Sequence, residues 1–211
     1  MQFVYTKAVT RKHMKQKLTD RGSRIMKKPS TYDLTQIALS AALLAVSSIV
    51  IIPIGVIPIT LQVFFFFLIP ALLGPVKGLT TVLLYTFMGL IGLPVFAGGT
   101  GGLGSILSPS FGYILGAMPV AWLVGSGLLK NKGKWYTLGL MGAGLAVLYG
   151  IGMAYQYVIM HNVLDTPVTF WSILSMNMTV FLPVDAVKLL FAAGLYTRLA
   201  RLPFARRIAK A

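Results

Sequence analysis

The stretch VTFWSILSMNMTVFLPVDAVKLLFAAGLYTRLA, running from Val168 to Ala200, decides how the chain is read. It is almost wholly apolar, yet Asp185 and Lys188 stand inside it with no other charge before Arg198. A helix needs about 20 apolar residues to cross a bilayer core, so this run is too long for one span. Pro183 supplies a break, since proline is favoured as the first residue of a helix. The sixth span is therefore expected to begin at Pro183, with Val168–Leu182 as a separate outer segment. Working outward, five more apolar runs fit spans. The first is Leu34–Ile52, opened by Ser30 and Asp33 in capping-box spacing just after Pro29. The second, about Ile54–Leu73, is shortened or tilted by Pro58 and Pro70. The rest are Leu79–Leu93, Tyr113–Leu129 and Tyr136–Met160. Composition agrees: 56% of the 211 residues are hydrophobic and 11% charged, against about 25% charged in soluble domains. The expected fold class is an all-α integral membrane protein of six transmembrane helices, with a Gly-rich external loop between helices 3 and 4.

Charge sets the orientation, because Lys and Arg collect in cytoplasmic loops. Of the 19 basic residues, 18 fall in residues 1–30, at Lys77, at Lys130, Lys132 and Lys134, or from Arg198 onward. The intervening loops around Gly55, around Gly99 and from His161 to Pro167 hold none. Both termini are expected in the cytoplasm and the protein in the cell membrane. Residues 1–29 read as a basic, disordered tail, 30–200 as the membrane substrate-binding domain and 201–211 as a second basic tail. Met26-Lys27-Lys28 reads like a natural start. The net charge of +15 does not point to nucleic acid, since the basic residues lie at helix ends without interleaved stacking aromatics. Anionic lipid is the expected partner of the first tail.

Several chemistries are excluded. The chain has no cysteine and no glutamate, and its two histidines, His13 and His161, are far apart. Thiolate sites, a zinc cage and a charge-relay system are ruled out, no metal site is expected, and the chain is expected not to be an enzyme. No G-x-x-x-x-G-K-[ST] occurs, so ATP is not hydrolysed by this chain. The loop from Phe96 to Ser105 contains a literal G-x-G-x-x-G, Gly99 to Gly104, but no acid follows about 20 residues on, and the dinucleotide reading fails. Such a loop either serves as a flexible turn or brings backbone N–H groups to an anion.

Asp185 and Lys188 carry the functional expectation. A charge at membrane depth costs roughly 2.5–3.5 kcal/mol on insertion scales, and a spacing of three puts both on one helical face. With Pro183 opening the helix, Asp185 is expected in the first turn, at the positive end of the dipole. An acceptor fixed beside a donor suits a ligand with adjacent N–H and C=O groups, such as a urea or lactam. An internal ion pair that locks the last helix to its neighbours is the alternative. Asn177 and Gln156 are further polar candidates, which packing hydrogen bonds explain as well. Ala38 and Ala42, with Ala41 and Ala45 beside them, form a small-residue face suited to close helix approach, within the bundle or against a partner; Gly112 and Gly116 form another.

The order of motifs resembles the BioY family, the biotin-binding S components of energy-coupling-factor (ECF) vitamin transporters. The similarity covers Ser30 to Arg198. It is carried by Pro58-Ile59-Thr60-Leu61-Gln62; Leu73-Gly74-Pro75 with Lys77-Gly78; Gly92-Leu93-Pro94-Val95-Phe96-Ala97-Gly98-Gly99 with Gly101-Gly102; Gly112-Tyr113; and Phe181-Leu182-Pro183 with Asp185 and Lys188. The resemblance implies capture of biotin from outside, with Asp185 and Lys188 on the ureido ring. It also implies that Gly98, Gly99, Thr100 and Gly101 close over the carboxylate tail and Phe96 covers the rings; Gln62, Tyr113 and Asn177 complete the expected pocket. It implies docking of the alanine face, Ala38, Ala41, Ala42 and Ala45, on a transmembrane coupling subunit driven by two ATPases. Biotin would be cargo, and no cofactor is implied. Where the family typically reads Gly-Pro-Thr-Gly-Gly-Tyr, this chain has Ser108-Pro109-Ser110-Phe111-Gly112-Tyr113, which puts loop shape and ligand size at issue. The competing functions are an S component for another vitamin or cofactor precursor, and a membrane scaffold protein without a ligand.

Overall fold

The computed structural model describes residues 30–53, 57–129 and 133–202. By internal contacts the chain divides into two compact units, Met1–Leu34 and Thr35–Ala211. The basic tail expected over 1–29 and all but the start of the tail expected over 201–211 lie outside the described residues. In the first unit the Ser30 N–H donates to Asp33 Oδ2 at 3.0 Å and the Asp33 N–H donates to Ser30 Oγ at 3.2 Å. This is the reciprocal cap expected from the spacing, and it opens helix α1, Thr31–Ile49.

Six further α-helices follow among the described residues: α2 (Gln62–Leu73), α3 (Pro75–Leu90), α4 (Phe111–Gly127), α5 (Lys134–Asn162), α6 (Phe170–Met176) and α7 (Leu182–Leu199). Among the described residues three helices are long and apolar enough to cross a membrane: Thr31–Ile49, Lys134–Asn162 and Phe170–Leu199. The last contains α6 and α7 joined by a π-helical turn, Asn177–Phe181, in which the Leu182 N–H reaches the carbonyl of Asn177. The expected start of an α-helix at Pro183 is met to within one residue, since α7 opens at Leu182 with Pro183 in its first turn, but the outer segment is not separate from it. Proline lacks an N–H and crowds the carbonyl four residues back, and a widened turn at that place lets the helix pass through it. One consequence is electrostatic. As expected, Asp185 falls in the first turn of α7, but the π-helical turn continues the helix on its N-terminal side, so that turn lacks the free N–H groups of a true helix end.

The second expected span is also shorter than read. Ile51–Ile52 and Ile59–Thr60 pair as a small antiparallel ladder, and the helix begins only at Gln62. The residue before a proline is pushed toward extended backbone, which suits Ile57 ahead of Pro58 to a turn or strand.

Within the second unit α4 packs against α3 and α5, and α2 packs against α4 and α7. The small residues of α4 make this possible. A Cβ on Gly112 would run into Tyr155, and one on Gly116 would lie 3.0 Å from the carbonyl oxygen of Leu148. Helix α1 is held at the edge by polar ties: Ser48 Oγ donates to the Val95 carbonyl at 2.6 Å, and Lys77 Nζ donates to Gln36 Oε1 at 3.1 Å. Its alanines divide between two faces. Ala38 and Ala42 are exposed, Ala45 is half-buried, and Ala41 is buried in the core, so Ala41 does not share the outward face expected for all four.

Candidate functional site

A cavity with about 720 Å³ of free space, its mouth included, opens among α2, α4, α5, α7 and the loop between α3 and α4. Asp185 and Lys188 are in its wall, as are Phe96, Thr100, Gln62, Tyr113 and Asn177. Gly98, Gly99 and Gly101 are not. Seven of the ten expected pocket residues thus surround one space, although the chain separates Gln62 from Lys188 by 126 positions.

Lys188 Nζ donates to Asp185 Oδ1 at 2.6 Å and to the Thr60 carbonyl at 2.7 Å; Tyr149 O–H donates to Asp185 Oδ2 at 2.8 Å. An ammonium has three protons, so Lys188 keeps one N–H beyond these two bonds, and each carboxylate oxygen keeps acceptor capacity. The pair neutralises itself and still faces the cavity. Thr60 in turn belongs to a buried chain of bonds: its hydroxyl donates to Gln62 Oε1 at 2.9 Å, Gln62 Nε2 donates to the Tyr85 hydroxyl at 2.5 Å, and Tyr85 O–H donates to the Val95 carbonyl at 2.9 Å. Gln62 thus ties the wall together through its amide oxygen and one of its two amide N–H groups.

Elsewhere in the wall Tyr113 O–H donates to Asn177 Oδ1 at 2.6 Å, and Asn177 Nδ2 donates to Gln156 Oε1 at 3.1 Å. Asn177 opens the π-helical turn, and its Nδ2 also reaches the Ile173 carbonyl at 2.9 Å. The packing role considered for Gln156 and Asn177 is therefore real, and Asn177 also borders the cavity.

Phe66, Phe96 and Phe111 of the wall belong to a string of rings that continues behind it through Tyr85 and Tyr155. Ring centroids of Phe66 and Tyr85 lie 6.4 Å apart, Tyr85 and Phe96 5.5 Å, Phe96 and Phe111 6.0 Å, and Phe111 and Tyr155 6.2 Å, mostly edge to face. Phe96 is central to this string, and Gly89 of α3 makes room for its ring: any Cβ there would overlap it. In a helix, Gly→Ala alone stabilises by about 1 kcal/mol. Here the clash dominates, and Gly89→Ala is expected to lower the melting temperature in detergent, with a cost of about 1–3 kcal/mol from overpacking. An unchanged or raised melting temperature would mean Phe96 is free to move aside.

The glycine loop closes largely on itself. Gly98 and Gly99 adopt φ of 75° and 71°, a region open to glycine at no steric cost. The Gly99 N–H donates to the Phe96 carbonyl at 2.9 Å, and the Gly102 N–H to the Gly89 carbonyl at 2.7 Å. The N–H groups of Gly99 and Gly102 are thus committed within the protein.

Sequence reading overlooked Tyr149, Thr60 and the serines at 105, 108 and 110, all of which line the cavity. Tyr149 had a signal: it lies two turns before Gln156 on one face of α5, and a tyrosine hydroxyl in mid-span needs a partner. Thr60 acts through its carbonyl, which no side-chain pattern reveals.

The helical bundle resembles a membrane S component in its fold. A crystal structure described as the S-component for biotin from an ECF-type ABC transporter matches it with a TM-score of 0.73 and 28% identity, over 81% of this chain and 92% of that one. The chain belongs to the BioY family, whose sequence model matches residues 14–204. The biotin transporter BioY of Thermotoga maritima is 34% identical over 176 residues, 82% of this chain and 98% of that protein. The probable biotin transporter BioY of Pyrococcus horikoshii is 42% identical over 120 residues, 57% of this chain and 71% of its relative. This is a multi-pass membrane transporter family, and its members are not enzymes.

Proposed function

We propose that this chain is the substrate-capturing S component of an ECF-type importer and that its ligand is biotin. The observation that carries this reading is a match of hydrogen-bonding capacity. A cyclic urea presents one C=O and two N–H groups. Lys188 retains one N–H after bonding Asp185 and Thr60, and the two oxygens of Asp185 retain acceptor sites after bonding Lys188 and Tyr149. Asp185 accepts from the ureido N–H groups, Lys188 donates to the ureido oxygen, and Phe96 with its aromatic neighbours covers the rings. The loop at Gly98, Gly99, Thr100 and Gly101 closes over the ligand from outside. The names of the relatives and the similarity of the whole bundle support the same ligand.

The remaining assignments follow. The six helical bodies cross the cell membrane with both termini in the cytoplasm, on the strength of the loop charges. Residues 30–200 form the binding domain between two basic tails. The exposed strip at Ala38 and Ala42 docks on a coupling subunit, and two ATPase subunits supply the energy.

Equilibrium binding to the purified protein tests the ligand. Biotin is expected to bind tightly, desthiobiotin less so, and lipoate and thiamine not at all. Tighter binding of lipoate or thiamine would reassign the chain to another vitamin, and a thermal-shift screen in which no vitamin acts would favour a scaffold role.

A further inference from the structure

Lys188 is the only cationic side chain in the cavity wall among the described residues, and it is committed to Asp185. A ligand with a carboxylate at its far end therefore needs some other partner there. Ser105, Ser108 and Ser110 line the cavity. They belong to the segment that follows the glycine loop: a 3₁₀ turn, Leu103–Leu107, and the start of α4 at Phe111. That turn is tied to α5, where Tyr155 O–H donates to the carbonyl of Ile106. Tyr149, which bonds Asp185, lies six residues earlier on α5, or about 9 Å along the axis at 1.5 Å per residue. The ion pair and the serines thus stand at different levels of the same cavity, with Phe96, Phe111 and Ile114 in the wall as well.

The count of available protons is informative. Ser108 Oγ and Ser110 Oγ lie 2.9 Å apart, so one of the two O–H groups serves that bond and the other remains. The Ser105 hydroxyl has no protein partner among the described residues. Ser110 precedes α4 without its side chain capping the helix, so its hydroxyl is not drawn back to the backbone. Thr100, by contrast, spends its proton on the Ala97 carbonyl at 3.1 Å. Two hydroxyl protons are left, one from Ser105 and one from the Ser108–Ser110 pair. A carboxylate has two oxygens to accept them, and bonds from O–H to an ionised acceptor are among the stronger kinds.

We infer that Ser105 and the Ser108–Ser110 pair form the subsite for a ligand's carboxylate tail, and that this chain recognises that charge with neutral hydroxyl donors rather than with a cation or with the amides of Gly99 and Gly102, which are bonded within the protein. The inference rests on the proposed capture of biotin and names the residues that hold the tail. It gives a role to the segment where the chain departs from the family's pattern, since Ser108 and Phe111 both stand where glycine is usual.

The test compares biotin with biotin methyl ester, which has the same ring system but no charged oxygens, by calorimetry on the purified full-length protein. The wild type is expected to prefer biotin by about tenfold or more, the worth of a charge-assisted bond. Ser105→Ala and the double variant Ser108→Ala/Ser110→Ala are each expected to weaken biotin by about tenfold while changing the ester less than about twofold, which also shows that the variants fold. A single Ser108→Ala, which leaves the Ser110 proton available, is expected to do less than the double. Equal affinity of the wild type for biotin and its ester overturns the inference without any variant. So does equal weakening of both ligands, or unchanged biotin affinity in both serine variants; in those cases biotin capture itself stands. If the wild type binds neither compound, the functional reading falls and the subsite with it.

Discussion

Asp185→Ala is expected to raise the dissociation constant for biotin by two orders of magnitude or more. The two ureido N–H groups bond to an ionised acceptor, at about 1.5–3 kcal/mol each, and about 1.4 kcal/mol is a factor of ten in affinity. Lys188→Ala removes one donor to the ureido oxygen and releases the Thr60 carbonyl, so a loss of at least tenfold is expected there as well. Both single variants also leave the opposite charge buried without its partner. The side chains are only 11% and 13% exposed, so each change costs about 3–5 kcal/mol of stability.

A second variant separates ligand capture from the locked-pair alternative. Replacing both charges by apolar residues of similar size, Asp185→Leu with Lys188→Met, removes the uncompensated charge, and such replacements are often neutral or stabilising. If the pair served only to lock α7 to its neighbours, the double variant would recover stability and transport together. On the present reading it recovers the melting temperature and still fails to bind biotin. Retention of full affinity by the double variant would remove Asp185 and Lys188 from the site.

The contrast between what the chain announces and what it hides follows the range of the interactions. The cap at Ser30 and Asp33 is local, three residues apart, and reads directly. The apolar runs mark the helices well, because length and composition decide membrane insertion. Pro183 does fall in the first turn of α7, yet it tells only part of the story. The rule that places proline at a helix start is local, whereas the π-helical turn at Asn177–Phe181 lets one helix continue past it. Nothing in residue spacing marks that extra residue in the turn.

The site shows the same division. Asp185 and Lys188 stand out because each is expensive in lipid, and a shared helical face is a consequence of spacing. Their partners come from elsewhere: Thr60 lies 128 residues before Lys188 and Tyr149 lies 36 before Asp185. Tyrosine is also counted among the hydrophobic residues of the composition, which conceals its hydroxyl. The glycines at 98–102 advertise free backbone donors, yet turn geometry closes the Gly99 and Gly102 amides onto Phe96 and Gly89. Composition counts donors without showing which are spent. The alanines of α1 present the converse problem, since four small residues look alike in the sequence and only packing separates Ala41 from Ala38 and Ala42.

That separation defines the second large expected effect. Ala38→Phe combined with Ala42→Phe is expected to abolish biotin uptake by cells carrying the whole importer, while biotin affinity of the purified variant stays within about twofold. The two alanines are one turn apart on the exposed arc of α1, beside Leu39 and Val46, which are 62% and 60% exposed. In lipid, added apolar volume has little effect, because the acyl chains are as apolar as the new side chain; only a helix packed closely on the strip would feel it. Ala41→Phe is the wrong test, since Ala41 is 1% exposed and overpacking costs about 1–3 kcal/mol before any partner is involved. Leu43→Phe, on the opposite flank of the arc, serves as the control and is expected to transport normally. Normal uptake by the Ala38/Ala42 variant would place the docking surface on another helix. Loss of biotin affinity in the same variant would show instead that the strip supports the cavity, through the tie from Ser48 to the Val95 carbonyl that anchors α1 beside Phe96.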